Sequence, residues 1–137
     1  MLGGFGGDRL KKPQVMTGGC LCGAIRFEAS GTPLKPHTCS CRMCQRHSGT
    51  LTPAWVEYPM EGVTWTGAGS APSVWRSSGY SSRAFCPTCG STIGALDDKP
   101  VIGLVTGAFD KPGAVALKPK THSYVSVKPH WWHVSAE

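Results

Sequence analysis

The sequence predicts an all-β protein of one domain, and three observations carry that expectation. The chain has 137 residues, enough for a single modest core. Its 18 glycines and 11 prolines argue against long helices. Short runs rich in β-formers recur at fairly even spacing, separated by Gly, Pro and Ser turns. Leu, Ile, Val and Phe together fall below about 20% of the chain, so apolar burial needs help from something else. The 7 cysteines are the candidate.

In chain order, residues 1–15 read as a glycine-rich then basic tail with nothing periodic to bury, and Met16 could be an alternative start. The domain then runs over 16–137. Residues 20–28 alternate, which places Leu21, Ile25 and Phe27 on one strand face and Cys20, Cys22, Arg26 and Glu28 on the other. Further strands are expected at 53–58, 63–66, 73–77, 80–85, 101–106 and 122–127, and Gly90 to Gly94 reads as turn and strand. The one helical turn expected is Cys44-Gln45-Arg46-His47-Ser48, stopped by Gly49. Asp110-Lys111-Pro112-Gly113 has the make-up of a turn. Trp55, Trp65 and Trp75 fall at strand positions and are expected in the core, while His130 and His133, flanking Trp131-Trp132, are expected to pack or lie exposed.

Charge and cysteine usage narrow the class. A formal charge of +6 could suit nucleic acid or a small anion, but the basic residues are scattered and only Lys11 and Lys12 adjoin. Nucleic acid is therefore not the expected partner. The longest apolar run, at 101–105 with a glycine inside it, is far below the roughly 18 residues of a membrane span. No apolar stretch of a secretory signal follows the basic residues near the start. An odd number of cysteines does not make a fully paired disulfide framework, so a soluble, cytoplasmic chain with metal-binding thiols is expected.

The cysteines fall into three motifs: Cys20-x-Cys22, Cys39-x-Cys41-x-x-Cys44 and Cys86-Pro87-Thr88-Cys89. Zinc in a structural site takes four ligands in a tetrahedron, and each short motif offers two or three thiolates from one turn or strand. The natural partition is four plus three. Cys20, Cys22, Cys86 and Cys89 would close one site, while Cys39, Cys41 and Cys44 would leave a position for water or substrate, the feature that separates catalytic from structural zinc. Alternatives remain at this level: a redox pair at Cys86 and Cys89, a trio closed by His37 or His47, or a redox trio without metal. His122 and Tyr124 share a strand face that could border a cleft. No P-loop, dinucleotide fingerprint, nucleophile elbow or H-E-x-x-H is present.

The order of motifs is specific. Gly18-Gly19-Cys20-Leu21-Cys22-Gly23-Ala24-Ile25-Arg26-Phe27, Cys39-Ser40-Cys41-Arg42-Met43-Cys44, Arg83-Ala84-Phe85-Cys86-Pro87-Thr88-Cys89-Gly90-Ser91 and Gly107-Ala108-Phe109-Asp110-Lys111-Pro112 follow one another. Together they closely resemble the glutathione-dependent formaldehyde-activating (GFA) family, to which centromere protein V is also related. The resemblance implies several coiled antiparallel sheets stapled by zinc, a fold shared with a zinc-containing Rab accessory protein. It implies two zinc ions per chain, with Cys20, Cys22, Cys86 and Cys89 as structural ligands and Cys39, Cys41 and Cys44 as the catalytic trio. It further implies a carbon–sulfur lyase that joins glutathione and formaldehyde. Glutathione carries net negative charge near neutral pH, so Arg42 or Arg46 beside the trio could engage a carboxylate. The other class left open is a zinc-stapled interaction module without catalysis.

Overall fold

A computed structural model describes residues 14–134. Among the described residues, ten strands form two sheets. The smaller sheet, in the order β1-β2-β5, joins β1 (Val15–Gly19), β2 (Arg26–Ser30) and β5 (Val63–Trp65). The larger has the order β10-β3-β4-β9-β8-β7-β6. Its strands are β3 (Leu34–Cys39), β4 (Ala54–Pro59), β6 (Ser73–Arg76), β7 (Ser81–Phe85), β8 (Thr92–Asp97), β9 (Val101–Val105) and β10 (Thr121–Ser123). The pairings are antiparallel except β10 on β3, which is parallel. One helix, α1 (Arg42–Ser48), follows β3.

Alternation along the central strands gives the large sheet two unlike faces. Val56 and Tyr58 of β4, Ile102 and Leu104 of β9 and Ala84 of β7 are buried on one face, and they join Ile25, Phe27, Ala29, Phe109 and Leu117 in the main core. Phe27 meets Phe109 edge-on, with ring centroids 5.1 Å apart. Gly18 allows this closure: a Cβ there would stand 2.3 Å from the Ala108 carbonyl oxygen and 2.5 Å from the Phe27 ring. The opposite face carries His37, Trp55, Glu57, Gly103, Ala95 and Arg83, which the register sets side by side: His37 opposite Trp55, Glu57 opposite Gly103, Gly103 opposite Ala95 and Ala95 opposite Arg83. This second face is where the site lies.

The all-β expectation holds, with local differences. Residues 20–25 form a turn rather than the start of a strand, leaving Leu21 90% exposed while Ile25 and Phe27 are buried. The turn arises because the Cys20 backbone N–H donates to the Ile25 carbonyl and Gly23, at φ +85°, reverses the chain. β1 begins at Val15, inside the stretch assigned to the tail; residues 1–13 of that stretch lie outside the described residues. β3 is an unanticipated strand. The run at 122–127 contributes only its first two residues to β10: Tyr124 takes a left-handed conformation at φ +58° and Val125–Val127 coil into a 3-10 turn. Trp55 is buried as expected and Trp65 packs against Phe27, but Trp75 is 67% exposed because β6 is the sheet's edge. No helix of the described residues is long and apolar enough to cross a membrane.

Candidate metal centre

Two groups of cysteines each converge so that their sulfur atoms lie within 4.8 Å of one another. Cys20, Cys22, Cys86 and Cys89 form the first. Cys20 and Cys22 come from the turn after β1, Cys86 and Cys89 from the turn between β7 and β8, and the cluster thus spans the two sheets. Backbone amides organise both turns: the Ile25 N–H donates to Cys20 Sγ at 3.2 Å and the Cys89 N–H to Cys86 Sγ at 3.4 Å. Ser91 completes the cradle, its Oγ lying 3.2 Å from Cys89 Sγ and accepting from the Leu21 N–H at 3.0 Å. Hydrogen bonding to Ser91 holds the Cys89 thiol down at about 5, suited to a thiolate. The Cys20–Cys22 and Cys22–Cys86 sulfur separations are 3.6 and 3.8 Å. A tetrahedral zinc with Zn–S bonds of about 2.3 Å needs edges of about 3.8 Å, so the donor set fits such an ion.

Cys39, Cys41 and Cys44 form the second group. Cys39 ends β3, Cys41 caps α1 and Cys44 lies in its first turn, so one strand-to-helix corner presents all three sulfurs. The Cys41 N–H points at Cys39 Sγ at 3.5 Å and the Cys44 N–H at Cys41 Sγ at 3.3 Å. Neither His37 nor His47 lies within the group. His37 turns its Nδ1 to the Lys35 carbonyl, 2.6 Å away. His47 has Nδ1 3.4 Å from an Arg83 nitrogen, and its Nε2 is buried without a hydrogen-bond partner. Burial and the neighbouring Arg83 charge lower the His47 pKa, keeping it neutral near pH 7.

Arg83 is the functional candidate that sequence reasoning did not single out. Its two terminal nitrogens both donate to Cys44 Sγ at 3.6 Å, and its guanidinium lies over the Trp55 ring, 5.4 Å from the centroid. The Cys44 thiol is held down at about 5, first by its hydrogen bond with Cys39 and then by Arg83, while the Cys39 thiol is correspondingly raised. Trp55 in turn lies against Gly103, whose missing side chain leaves room for the ring. The expected carboxylate candidates, Arg42 and Arg46, are exposed on α1, and Arg42 donates to the Gln45 side chain. His122 is placed against the Thr38 hydroxyl, and Tyr124 is exposed.

A cleft of about 300 Å³ opens beside the trio, with Cys39, Cys44, Trp55 and Arg83 in its wall. The arrangement is that of a β-sheet protein with a four-cysteine and a three-cysteine group, each of which could hold a metal ion. A family model described as glutathione-dependent formaldehyde-activating enzyme matches residues 15–127, and the chain belongs to that family. The crystal structure of a Rhodobacter sphaeroides protein shares the fold: TM-score 0.59 and 18% identity, covering 79% of this chain and 100% of that one. No curated protein sequence matches the chain.

Proposed function

We propose that the chain is a zinc-dependent carbon–sulfur lyase that reversibly joins glutathione and formaldehyde as S-(hydroxymethyl)glutathione. In this reading Cys20, Cys22, Cys86 and Cys89 hold a structural zinc, and Cys39, Cys41 and Cys44 hold a catalytic one. The observation that carries the reading is the contrast between a closed four-sulfur group and a three-sulfur group that borders a cleft. When bound there, zinc supplies the acidity that deprotonates a thiol near neutral pH. In the net reaction the thiol sulfur bonds to the formaldehyde carbon, the C=O bond becomes single and its oxygen gains the proton the sulfur loses.

The chain's own residues set the conditions for this addition. Three thiolates carry more negative charge than one divalent cation offsets, which favours an electron-rich sulfur over strong polarisation of a carbonyl. Arg83 tempers that excess by donating to Cys44, and the Trp55 face fixes the guanidinium in place. His47, neutral beside Arg83, adds no further positive charge. The seven unpaired cysteines suit a reducing cytoplasm.

The test is metal stoichiometry together with X-ray absorption at the zinc edge, before and after glutathione is added. Two zinc ions, one of which gains a sulfur ligand, support the reading. A single ion, or spectra that glutathione leaves unchanged, overturn the substrate assignment.

A further inference from the structure

Residues 128–134, past the stretch that matches the family, send one side chain back to the trio. A turn sets its direction: the Trp132 N–H donates to the Pro129 carbonyl at 3.0 Å, and the Lys128 ammonium donates to the Trp132 carbonyl. Trp131 is 72% exposed. Trp132, at 37%, is half as exposed, and its indole Nε1 donates to the Thr52 hydroxyl at 2.9 Å. Thr52 lies in the loop between α1 and β4, and its Oγ1 stands 2.9 Å from the Ser40 Oγ.

Ser40 sits between Cys39 and Cys41 and is fully buried. Each of its hydrogen-bonding groups is engaged. Its N–H donates to the Ser123 carbonyl of β10 at 3.0 Å, its carbonyl accepts from Gln45 Nε2 at 2.9 Å, and its hydroxyl meets Thr52. A buried hydroxyl has to place its hydrogen, and Thr52 Oγ1 is the partner of this one among the described residues. Ser40 therefore donates, and Thr52 Oγ1 accepts from Ser40 and Trp132 on its two lone pairs. The next residue of the same loop holds the corner a second time, since the Cys39 N–H donates to the Pro53 carbonyl at 3.1 Å. The four-cysteine group draws its sulfurs from two separate turns. The trio draws three from one corner, so its shape depends on what that corner's backbone is tied to.

Resting on the trio as a metal site, we propose that Trp132 and Thr52 are positioning residues for it: the indole fixes the Thr52 hydroxyl, which fixes Ser40 and with it the backbone that carries Cys39 and Cys41. The C-terminal segment is thus a latch on the three-cysteine corner, and it acts through one shared hydroxyl without touching a sulfur.

The experiment follows zinc release from the zinc-loaded chain to a chromophoric chelator, with Cys41→Ser marking the phase that belongs to the four-cysteine group. Thr52→Val keeps the side-chain shape and leaves Ser40 without its acceptor. It should release the trio's zinc about tenfold faster and leave the other phase unchanged, and Thr52→Ser should restore the parent rate. Trp132→Phe should speed the same phase about threefold or more. The double variant should be no faster than Thr52→Val, because both changes act on one hydroxyl. Cobalt in place of zinc gives a second readout: the thiolate-to-metal absorption that Cys41→Ser removes should shift in Thr52→Val and not in Thr52→Ser. Equal acceleration of both phases, no recovery with Thr52→Ser, additive effects in the double variant, or a parent-like rate for Trp132→Phe overturns the proposal. Should Thr52→Val fail to fold, Trp132→Phe at the surface decides it. A parent chain that binds a single zinc overturns the metal reading of the trio and the latch with it. Two zinc ions with the expected pattern, but no turnover of glutathione and formaldehyde, keep the latch and sink the lyase reading.

Discussion

At the residue scale, one line of contacts runs from Gly103 through Trp55 and Arg83 to Cys44. Each member constrains the next. A Cβ on residue 103 would stand 3.3 Å from the Trp55 ring, tighter than ordinary packing allows, so Gly103→Ala should push the indole and the guanidinium resting on it. The expected result is a shift in tryptophan emission and faster loss of the trio's metal to a chelator, with the four-cysteine group unaffected; loss of both metals at one rate would refute the linkage. Arg83→Met tests the last contact directly. Partners that hold a ligating group commonly contribute about 10–100-fold in metal affinity, so competition with a chelator should show the trio's affinity falling by at least about tenfold. Unchanged affinity would mean that Arg83 acts only on substrate. Arg83 was hidden in the sequence because its partner Cys44 is 39 positions away, and only the register of β7 turns its side chain onto the cysteine face. The grouping of the cysteines was legible because their short motifs limit each turn to two or three sulfurs.

At the scale of elements, α1 has only seven residues, too short to persist by propensity. Its ends hold it. The Cys41 sulfur accepts the Cys44 N–H, and Gly49, left-handed at φ +79°, closes the other end by donating its N–H to the Gln45 carbonyl at 2.8 Å. Gln45 is buried and donates to the Ser40 carbonyl at 2.9 Å, which ties the helix back to β3. Cys41 is therefore both a cap and a candidate ligand, and substitutions separate the two roles. Serine is a strong N-cap, so Cys41→Ser should retain the fold while the chain binds one zinc fewer. Cys41→Ala should lose the ion and also about 1 kcal/mol of cap stabilisation, visible as a lower melting temperature than that of Cys41→Ser. Equal melting temperatures for the two variants would deny the cap any weight. The period-two strands and the stop at Gly49 could be read from pattern and glycine chemistry. β3 could not, because Pro36 and a register shift between Leu34 and His37 break its alternation. The turn at 20–25 carries the alternation of a strand in its sequence, but the Cys20 N–H bond to the Ile25 carbonyl and the Ile25 N–H bond to Cys20 Sγ close it into a loop.

Over the whole molecule, few bulky apolar residues must hold two sheets together, and two polar clips cross between them. The first is the four-cysteine group. A structural zinc contributes about 10–16 kcal/mol in small peptides, similar to a domain's entire stability of about 5–15 kcal/mol, so Cys86→Ser should unfold the domain where Cys41→Ser does not. Circular dichroism of the two variants checks this, and identical behaviour would remove the division into structural and open sites. The second clip joins Arg26 of β2 to Asp110, just beyond β9. Its guanidinium nitrogens meet the carboxylate at 3.0 and 2.6 Å, and the Thr17 hydroxyl of β1 donates to it at 2.6 Å. Those bonds, Arg26 first and Thr17 second, hold the Asp110 carboxyl down at about 2 against the ordinary 3.8. A carboxylate depressed in the folded state stabilises fully above its unfolded pKa, and that contribution fades as pH falls through its folded one. The Asp110 side chain is 44% exposed, so screening limits the gain to about 1 kcal/mol or less. Asp110→Asn should therefore melt slightly below the parent at pH 7, with the gap constant down to about pH 5, above the range in which the carboxylate of the parent titrates. The comparison stays above the acidity at which protonated cysteines would give up a bound metal and unfold both proteins, so the difference between them isolates Asp110. A gap that about 1 M salt leaves unchanged would trace it to packing, and the charge would then have no part in joining the sheets.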